Sequence, residues 1–150
     1  MLLVSGGRTM VCTFFGHSDT PEAVYPKLKN AIEALITTRG ASTFMVGTHG
    51  SFDGMTLHAL RELKQQYAHI SYHVVLAYMP NHQDDELYTS DETLLPEGIE
   101  AVPKRFAIPW RNKWMVNKSQ TVICYIIHNA SGAAKFVQYA EHQGKEIIHL

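Results

Sequence analysis

The sequence predicts a single α/β domain, a mainly parallel sheet of about five to six strands with helices on both faces. Three observations carry this expectation. Short β-branched and aromatic runs that stop at glycine alternate with stretches of apolar residues at helical spacing. Residues 73–79 (His-Val-Val-Leu-Ala-Tyr-Met) show no polar alternation, as expected of a strand covered on both faces. At 150 residues, 45% apolar and 18% charged, the chain is long enough for one continuous core and too short for two large domains.

Residues 1–10 read as a loose N-terminal arm, because Met1 to Thr9 lack the alternation that follows and a second methionine, Met10, stands directly before the first run. Residues 11–150 are then the single domain. Val11-Cys12-Thr13-Phe14-Phe15 forms the first strand and ends at Gly16. Ser18-Asp19-Thr20-Pro21-Glu22 has the pattern of a helix start, with a capping side chain, Pro21 at the first helical position and an acid in the first turn. Val24, Leu28, Ala31, Ile32, Leu35 and Ile36 recur at helical spacing, and Gly40 supplies the stop. Residues 43–46 make a second strand, broken by Gly47 and followed by the loop Thr48-His49-Gly50-Ser51. Ala59, Leu60, Leu63 and Tyr67 share the apolar face of the next helix, and residues 73–79 are the third strand.

Regularity lapses over residues 80–109, which hold four prolines and seven of the fourteen acids, and this stretch reads as a long excursion: a solvated loop, or a lid or partner-binding segment. Lys104, Arg105, Arg111, Lys113 and Lys118 then place five of the thirteen cations within fifteen positions, with Trp110 and Trp114 among them. Trp114 and Met115 are assigned to the core. Residues 121–127 are the most strand-like segment and are expected to form the central strand, stopping at His128-Asn129-Ala130-Ser131-Gly132. Ala133, Phe136, Val137 and Ala140 mark a last helix closed by Gly144, and residues 146–150 a last short strand. The order βαβαβ, excursion, βαβ is that of a Rossmann-like domain with right-handed crossovers.

Several function classes lack their signatures. The formal charge of −1 provides no global basic field for nucleic acid, so such a partner is not favoured. No stretch approaches the ~18 apolar residues of a membrane span, and the expected location is cytoplasmic. Cys12 and Cys124 sit inside apolar runs as small buried hydrophobes. There is no Gly-x-Ser-x-Gly elbow, no phosphate-binding Gly-x-x-x-x-Gly-Lys loop and no Gly-x-Gly-x-x-Gly fingerprint. His17, His49 and His128 each follow a strand, yet no carboxylate stands beside two histidines, so neither a metal nor a separate cofactor is expected.

Ligands of open parallel sheets bind at the carboxyl ends of the strands. Three such ends look alike here: Gly16-His17-Ser18-Asp19, Gly47-Thr48-His49-Gly50-Ser51 and His128-Asn129-Ala130-Ser131-Gly132. Glycine lets a backbone approach a ligand, and free N–H groups at a helix start favour phosphate. Equally, Gly and Ser serve strand-to-helix turns. Asp53 suits either a helix cap, the favoured role, or a ribose hydroxyl, and His17 and His49 are the candidates for a general acid or base.

Phe14-Phe15-Gly16-His17, the segment Gly47 to Asp53, and Arg111-Asn112-Lys113-Trp114-Met115-Val116 resemble the SLOG superfamily, the Rossmann-like group that includes the DNA-processing Smf/DprA proteins and the LOG phosphoribohydrolases. The similarity spans about residues 11–150, continues through Ser131-Gly132-Ala133-Ala134, Tyr139-Ala140 and Gly144-Lys145, and is nearest to the YpsA-like branch. It implies a pocket for a nucleotide or nucleotide-derived ligand, with Gly16 and Gly47 as close-approach positions, Arg111 and Asn112 pointing toward it, and Ser131-Gly132 as a phosphate-facing turn. The LOG enzymes carry Pro-Gly-Gly-x-Gly-Thr-x-x-Glu, whose glutamate serves catalysis. Here Ala130 to Gln138 contains no acid, and Lys135 brings the opposite charge, which favours holding an anion over activating water.

The leading expectation is a nucleotide-binding sensor or accessory factor. One alternative is a phosphoribohydrolase-like nucleotide hydrolase, with His17 or His49 as acid/base and Arg111 neutralising phosphate. Another is a DNA or protein interaction module using the cationic segment and the acidic excursion. Self-association through an exposed helix or the last edge strand is the expected route to a homo-oligomer.

Overall fold

The computed structural model describes residues 10–79 and 87–150. The arm expected before Met10 and the opening of the excursion, residues 80–86, lie outside the described residues. Met10, set with the arm above, opens the first strand.

Six parallel strands form one sheet: β1 (Met10–Gly16), β2 (Ala41–Val46), β3 (Ser71–Val75), β4 (Thr93–Leu94), β5 (Thr121–Tyr125) and β6 (Glu146–His149), in the order β4-β3-β2-β1-β5-β6. Four helices connect them: α1 (Tyr25–Arg39), α2 (Gly50–Gln66), α3 (Lys104–Lys118) and α4 (Gly132–His142). This is the Rossmann-like α/β architecture the sequence predicts.

Side chains alternate across each strand, so neighbouring residues build different cores. Cys12, Phe14, Phe44, Val46, Val74 and Ile123 face α1 and α2, where Leu28, Ile32, Phe52, Leu60 and Leu63 are fully enclosed. Phe15, Met45, Val75, Val122 and Cys124 face the other way, against Met115 and Val116 of α3 and Phe136, Val137 and Ala140 of α4. Each large side chain removed from water contributes roughly 1.5–3 kcal/mol, so both faces are indispensable to the sheet. Burial pushes the Cys12 thiol up and the Cys124 thiol up to about 12, which makes both cysteines inert packing groups.

Four expectations need correction. The strand over residues 121–127 is shorter, Thr121–Tyr125, and is not central: β2 and β1 form the middle pair, while β6 lies outside β5. Apolar content reports coverage of both faces, which β1 and β5 share, and not position in the sheet. The third strand begins at Ser71 and ends at Val75; its first half is not fully buried, and Leu76 and Ala77 continue the buried run outside the strand. The first helix opens at Tyr25 with Pro26 in its first turn, after a 3-10 turn at Glu22–Val24 that Pro21 precedes, and the Thr20 hydroxyl donates to the His17 carbonyl (2.6 Å) instead of capping it.

The fourth correction concerns the excursion. It contains β4 and ends in α3, with Pro109 inside that helix. Pro109 has no N–H to offer the Arg105 carbonyl one turn back, and both residues are exposed. Glu92 anchors the strand that follows it. Its carboxylate receives two bonds from Arg61 (both 2.7 Å) and one from Tyr72 (2.6 Å), and Arg61 chiefly holds it down to about pKa 2. Gly40 stops α1 in the left-handed conformation as expected (φ 70°).

Candidate functional site

The chain runs from β1 to β4 toward one edge of the sheet, then returns to place β5 on the far side of β1. The crevice between the ends of β1 and β5 is therefore the topological switch point, where neighbouring loops diverge and leave space. A cavity of about 560 Å³ lies there. Gly16, His17, Ser18 and Asp19 line it from β1, Gly47, His49 and Asp53 from the β2 end, Arg111, Asn112 and Met115 from α3, and His128, Ser131 and Gly132 from the β5 end.

The glycines have different reasons for being glycine. A Cβ on Gly16 would collide with the buried ring of Phe52, and one on Gly50, at φ 84°, with the Ser18 backbone. At Gly47 a Cβ would stand 2.9 Å from the Asp53 carboxylate and 3.5 Å from the Arg111 guanidinium carbon. Gly16 and Gly47 are thus close-approach positions for the protein's own side chains. A Cβ on Gly132 would meet nothing within 4 Å.

Arg111 is only 1% exposed. Its Nη1 donates to the Val75 carbonyl (2.7 Å) and the Thr48 hydroxyl (3.3 Å), and its Nε to Asn112 Oδ1 (2.8 Å). Burial lowers its pKa and nearby Asp53 opposes that, yet a guanidinium remains charged at any ordinary pH. Asp53 performs the favoured capping role: its Oδ2 accepts the His49 backbone N–H (2.9 Å) at the start of α2. Enclosure of its carboxyl raises the pKa to about 6, with the His49 bond and Arg111 pulling the other way.

His17 is 4% exposed, and its Nε2 accepts the Ile127 backbone N–H (2.9 Å). An accepting nitrogen carries no proton, so the neutral ring is protonated on Nδ1. That Nδ1 is buried without a hydrogen-bond partner. The His128 ring stacks on it, centroids 4.2 Å apart and planes 13° apart, and Tyr125 meets it edge-on. Burial first, then His128, lowers the His17 pKa, against a smaller opposing effect of Asp19. With Nε2 accepting from Ile127, the hydrogen-bonding capacity left to the neutral ring is the Nδ1–H.

At the β5 end, the Ser131 hydroxyl caps α4 by accepting the Ala134 N–H (3.1 Å). The first N–H groups of a helix have no intrahelical acceptor, and those of Gly132 and Ala133 begin α4 at the cavity wall. The structure brings together Gly16, His17, Gly47, His49, Asp53, Arg111, Asn112, Ser131 and Gly132. Thr48 stands behind this wall as a partner of Arg111, Gly50 packs on Ser18, and Lys135 is exposed on α4 outside the lining. Lys135 is exposed although Ala134 and Phe136 on either side of it are buried. Phe15, Phe136, Ile108 and Met115 add an apolar wall, the two Phe rings stacking at 5.7 Å; sequence reading assigned Phe136 and Met115 only to the core. Among the described residues no group of three or more His, Cys, Asp or Glu side chains is placed to hold a metal ion.

No family model and no curated protein matches the chain. Its fold is similar to that of DNA processing protein A (DprA) from Streptococcus pneumoniae, with a TM-score of 0.70 at 14% identity over 94% of this chain and 50% of that one. It is also similar to the Helicobacter pylori DprA, a structure described for its single-stranded DNA binding mode, with a TM-score of 0.61 at 11% identity over 93% of this chain and 64% of that one. The chain therefore spans about half to two thirds of those proteins, and the likeness establishes a DprA-type Rossmann-like fold. Among the described residues no helix is long and apolar enough to cross a membrane.

Proposed function

We propose that the protein binds a phosphate-bearing nucleotide or nucleotide derivative in the switch-point cavity, as a sensor or accessory factor. The observation that carries this reading is one cavity of about 560 Å³, within the size range of small-molecule sites, that combines the buried Arg111 cation with the open start of α4. The helix start and the guanidinium supply positive potential for phosphate, and the Phe15, Phe136, Met115 and Ile108 wall suits a base or sugar face. Within this reading, the Arg111 to Val116 motif supports a likeness to the YpsA-like branch of the SLOG superfamily.

Native mass spectrometry of gently purified protein, followed by thermal shifts with nucleoside mono-, di- and triphosphates, cyclic nucleotides and ADP-ribose compounds, tests it. A co-purified nucleotide, or a melting point that rises with concentration, is the expected result. An empty protein that no compound stabilises at saturation overturns the reading.

One observation favours a second reading, single-stranded nucleic acid. On the outer surface Lys104 lies over the Tyr78 ring (4.9 Å) and Arg105 over that of Phe106 (4.8 Å), with Tyr78 and Phe106 40% and 52% exposed. Cations beside exposed rings suit backbone and base contacts, and the H. pylori protein of the same fold is described as binding single-stranded DNA. Binding by this surface falls steeply with salt and is lost in the Lys104→Glu, Arg105→Glu double variant.

A further inference from the structure

The unpartnered proton of His17 points to what the cavity recognises. A buried donor without an acceptor is expensive, and native structures almost always satisfy it or keep it for a purpose. His17 is not adaptable: Ile127 fixes which nitrogen accepts, and the His128 and Tyr125 rings fix its plane. The same residue lines the cavity that His128, the cap Ser131 and the first residues of α4 also line. A helix start alone says little about a ligand. A helix start next to a 96%-buried side chain (4% exposed) with an unspent N–H is a built site for an oxygen acceptor.

We infer that His17 Nδ1–H is a fixed, neutral donor to a phosphoryl oxygen whose remaining oxygens meet the first N–H groups of α4. The inference rests on the reading above and sharpens it: the protein's ligand is selected by its phosphate, and His17 is a specificity-determining residue that moves no proton. The ring of His128, exposed on its turn, stacks on His17 and holds the imidazole plane. A mononucleotide and the end of a nucleic-acid strand both offer such an oxygen, so the probes must separate them.

Two substitutions split the imidazole into its halves. His17→Asn keeps a donor at the Nδ1 position and loses the acceptor for Ile127. His17→Gln keeps an acceptor at the Nε2 position and loses the donor. Wild type and both variants are titrated with AMP, with adenosine, and with a short single-stranded oligonucleotide with and without a 5′-phosphate. The expected result is crossed: His17→Asn melts lower but binds AMP within about threefold of wild type, whereas His17→Gln melts near wild type and binds AMP at least tenfold more weakly. Adenosine is expected to bind weakly and equally to all three. Preference for the 5′-phosphorylated over the unphosphorylated strand, lost in His17→Gln, assigns the source to strand ends; AMP binding without it assigns the source to mononucleotides.

A long-range nitrogen–proton NMR correlation on the free wild-type protein supplies a readout that needs neither ligand nor a stable variant. Protonation at Nδ1 supports the inference, and protonation at Nε2 overturns it. AMP binding undiminished in His17→Gln overturns it as well. If no phosphate-bearing probe binds wild type while Nδ1 is protonated, it is the ligand-binding reading that has failed, and the role assigned to His17 falls with it.

Discussion

The two ends of the cavity are built from the same residue types and behave differently. At the β1–β2 end, glycines are small because the protein fills their space: Phe52 occupies the room beside Gly16, Ser18 the room beside Gly50, and Asp53 and Arg111 the room beside Gly47. At the β5 end, Gly132 has open space and the first α4 amides carry unspent hydrogen-bonding capacity; His17, at the end of β1, is tied to that side through Ile127 and His128 and keeps its Nδ1 without a partner. A glycine at a strand end therefore signals close approach, but what approaches can be the fold itself. The first end is scaffolding that holds Arg111 and Asp53 in place; the second leaves the space and the hydrogen-bonding capacity on which the proposed ligand site rests.

Four substitutions test this contrast, ordered by expected effect. Gly50→Ala is the most damaging, since it forces a side chain into a left-handed backbone at φ 84° and against the Ser18 backbone. Strain of roughly 1–2 kcal/mol and overpacking of roughly 1–3 kcal/mol add to a loss of about 3 kcal/mol, read by urea denaturation. Gly16→Ala meets the fully buried ring of Phe52 and is expected to lose about 2–3 kcal/mol. Wild-type stability in either variant would mean that these loops are looser than the contrast requires.

Asp53 gives a pH-dependent test of the same scaffold. Its folded pKa of about 6 lies above that of an unfolded aspartate, so the folded state holds the proton more tightly. Stability from this group is fully present below about pH 4 and is lost as pH rises to about 6, by something on the order of 2 kcal/mol. Asp53→Asn keeps an oxygen for the His49 N–H and removes the buried charge. It is expected to flatten the stability profile between about pH 4 and 6 and to melt above wild type at pH 7.5. A profile in that window unchanged by the substitution would show that Asp53 ionises freely. Glu92, held down by Arg61, acts in the opposite sense and in a lower window, so it does not mask the difference.

The smallest effect on stability belongs to Gly132→Ala, within about 0.5 kcal/mol, because the new methyl touches nothing within 4 Å. It does stand in the cavity. The contrast predicts unchanged urea unfolding with weakened AMP binding, whereas a loss of several kcal/mol would place protein atoms at this end too.

Much of the fold was legible. Short β-branched and aromatic runs located β1, β2 and β5, and helical spacing located α1, α2 and α4, because strands covered on both faces and helices covered on one leave those patterns. The excursion departed from expectation: β4 has only two residues, too few to leave a pattern, and Pro109, which looked like a boundary, lies inside α3. The candidate site was partly legible. Glycine, histidine and serine at three strand ends marked the right rim, and the Arg111 to Met115 motif marked the facing helix. Nothing in the sequence separated Lys135, which faces solvent, from Arg111, which is buried, because helical facing depends on where the helix packs.

The sequence by itself determined a one-domain parallel α/β protein with its polar loops at the carboxyl ends of the strands, since apolar period and turn residues act locally and each element carries its own signal. Only the tertiary structure decided that β1 and β5 are neighbours at the switch point, that Phe52 and Asp53 fill the space beside two of the glycines, and that the Ile127 amide fixes the proton of His17 on Nδ1. Those outcomes depend on contacts between residues up to 110 positions apart, and a hydrogen bond or a collision at that separation leaves no periodic trace in the chain.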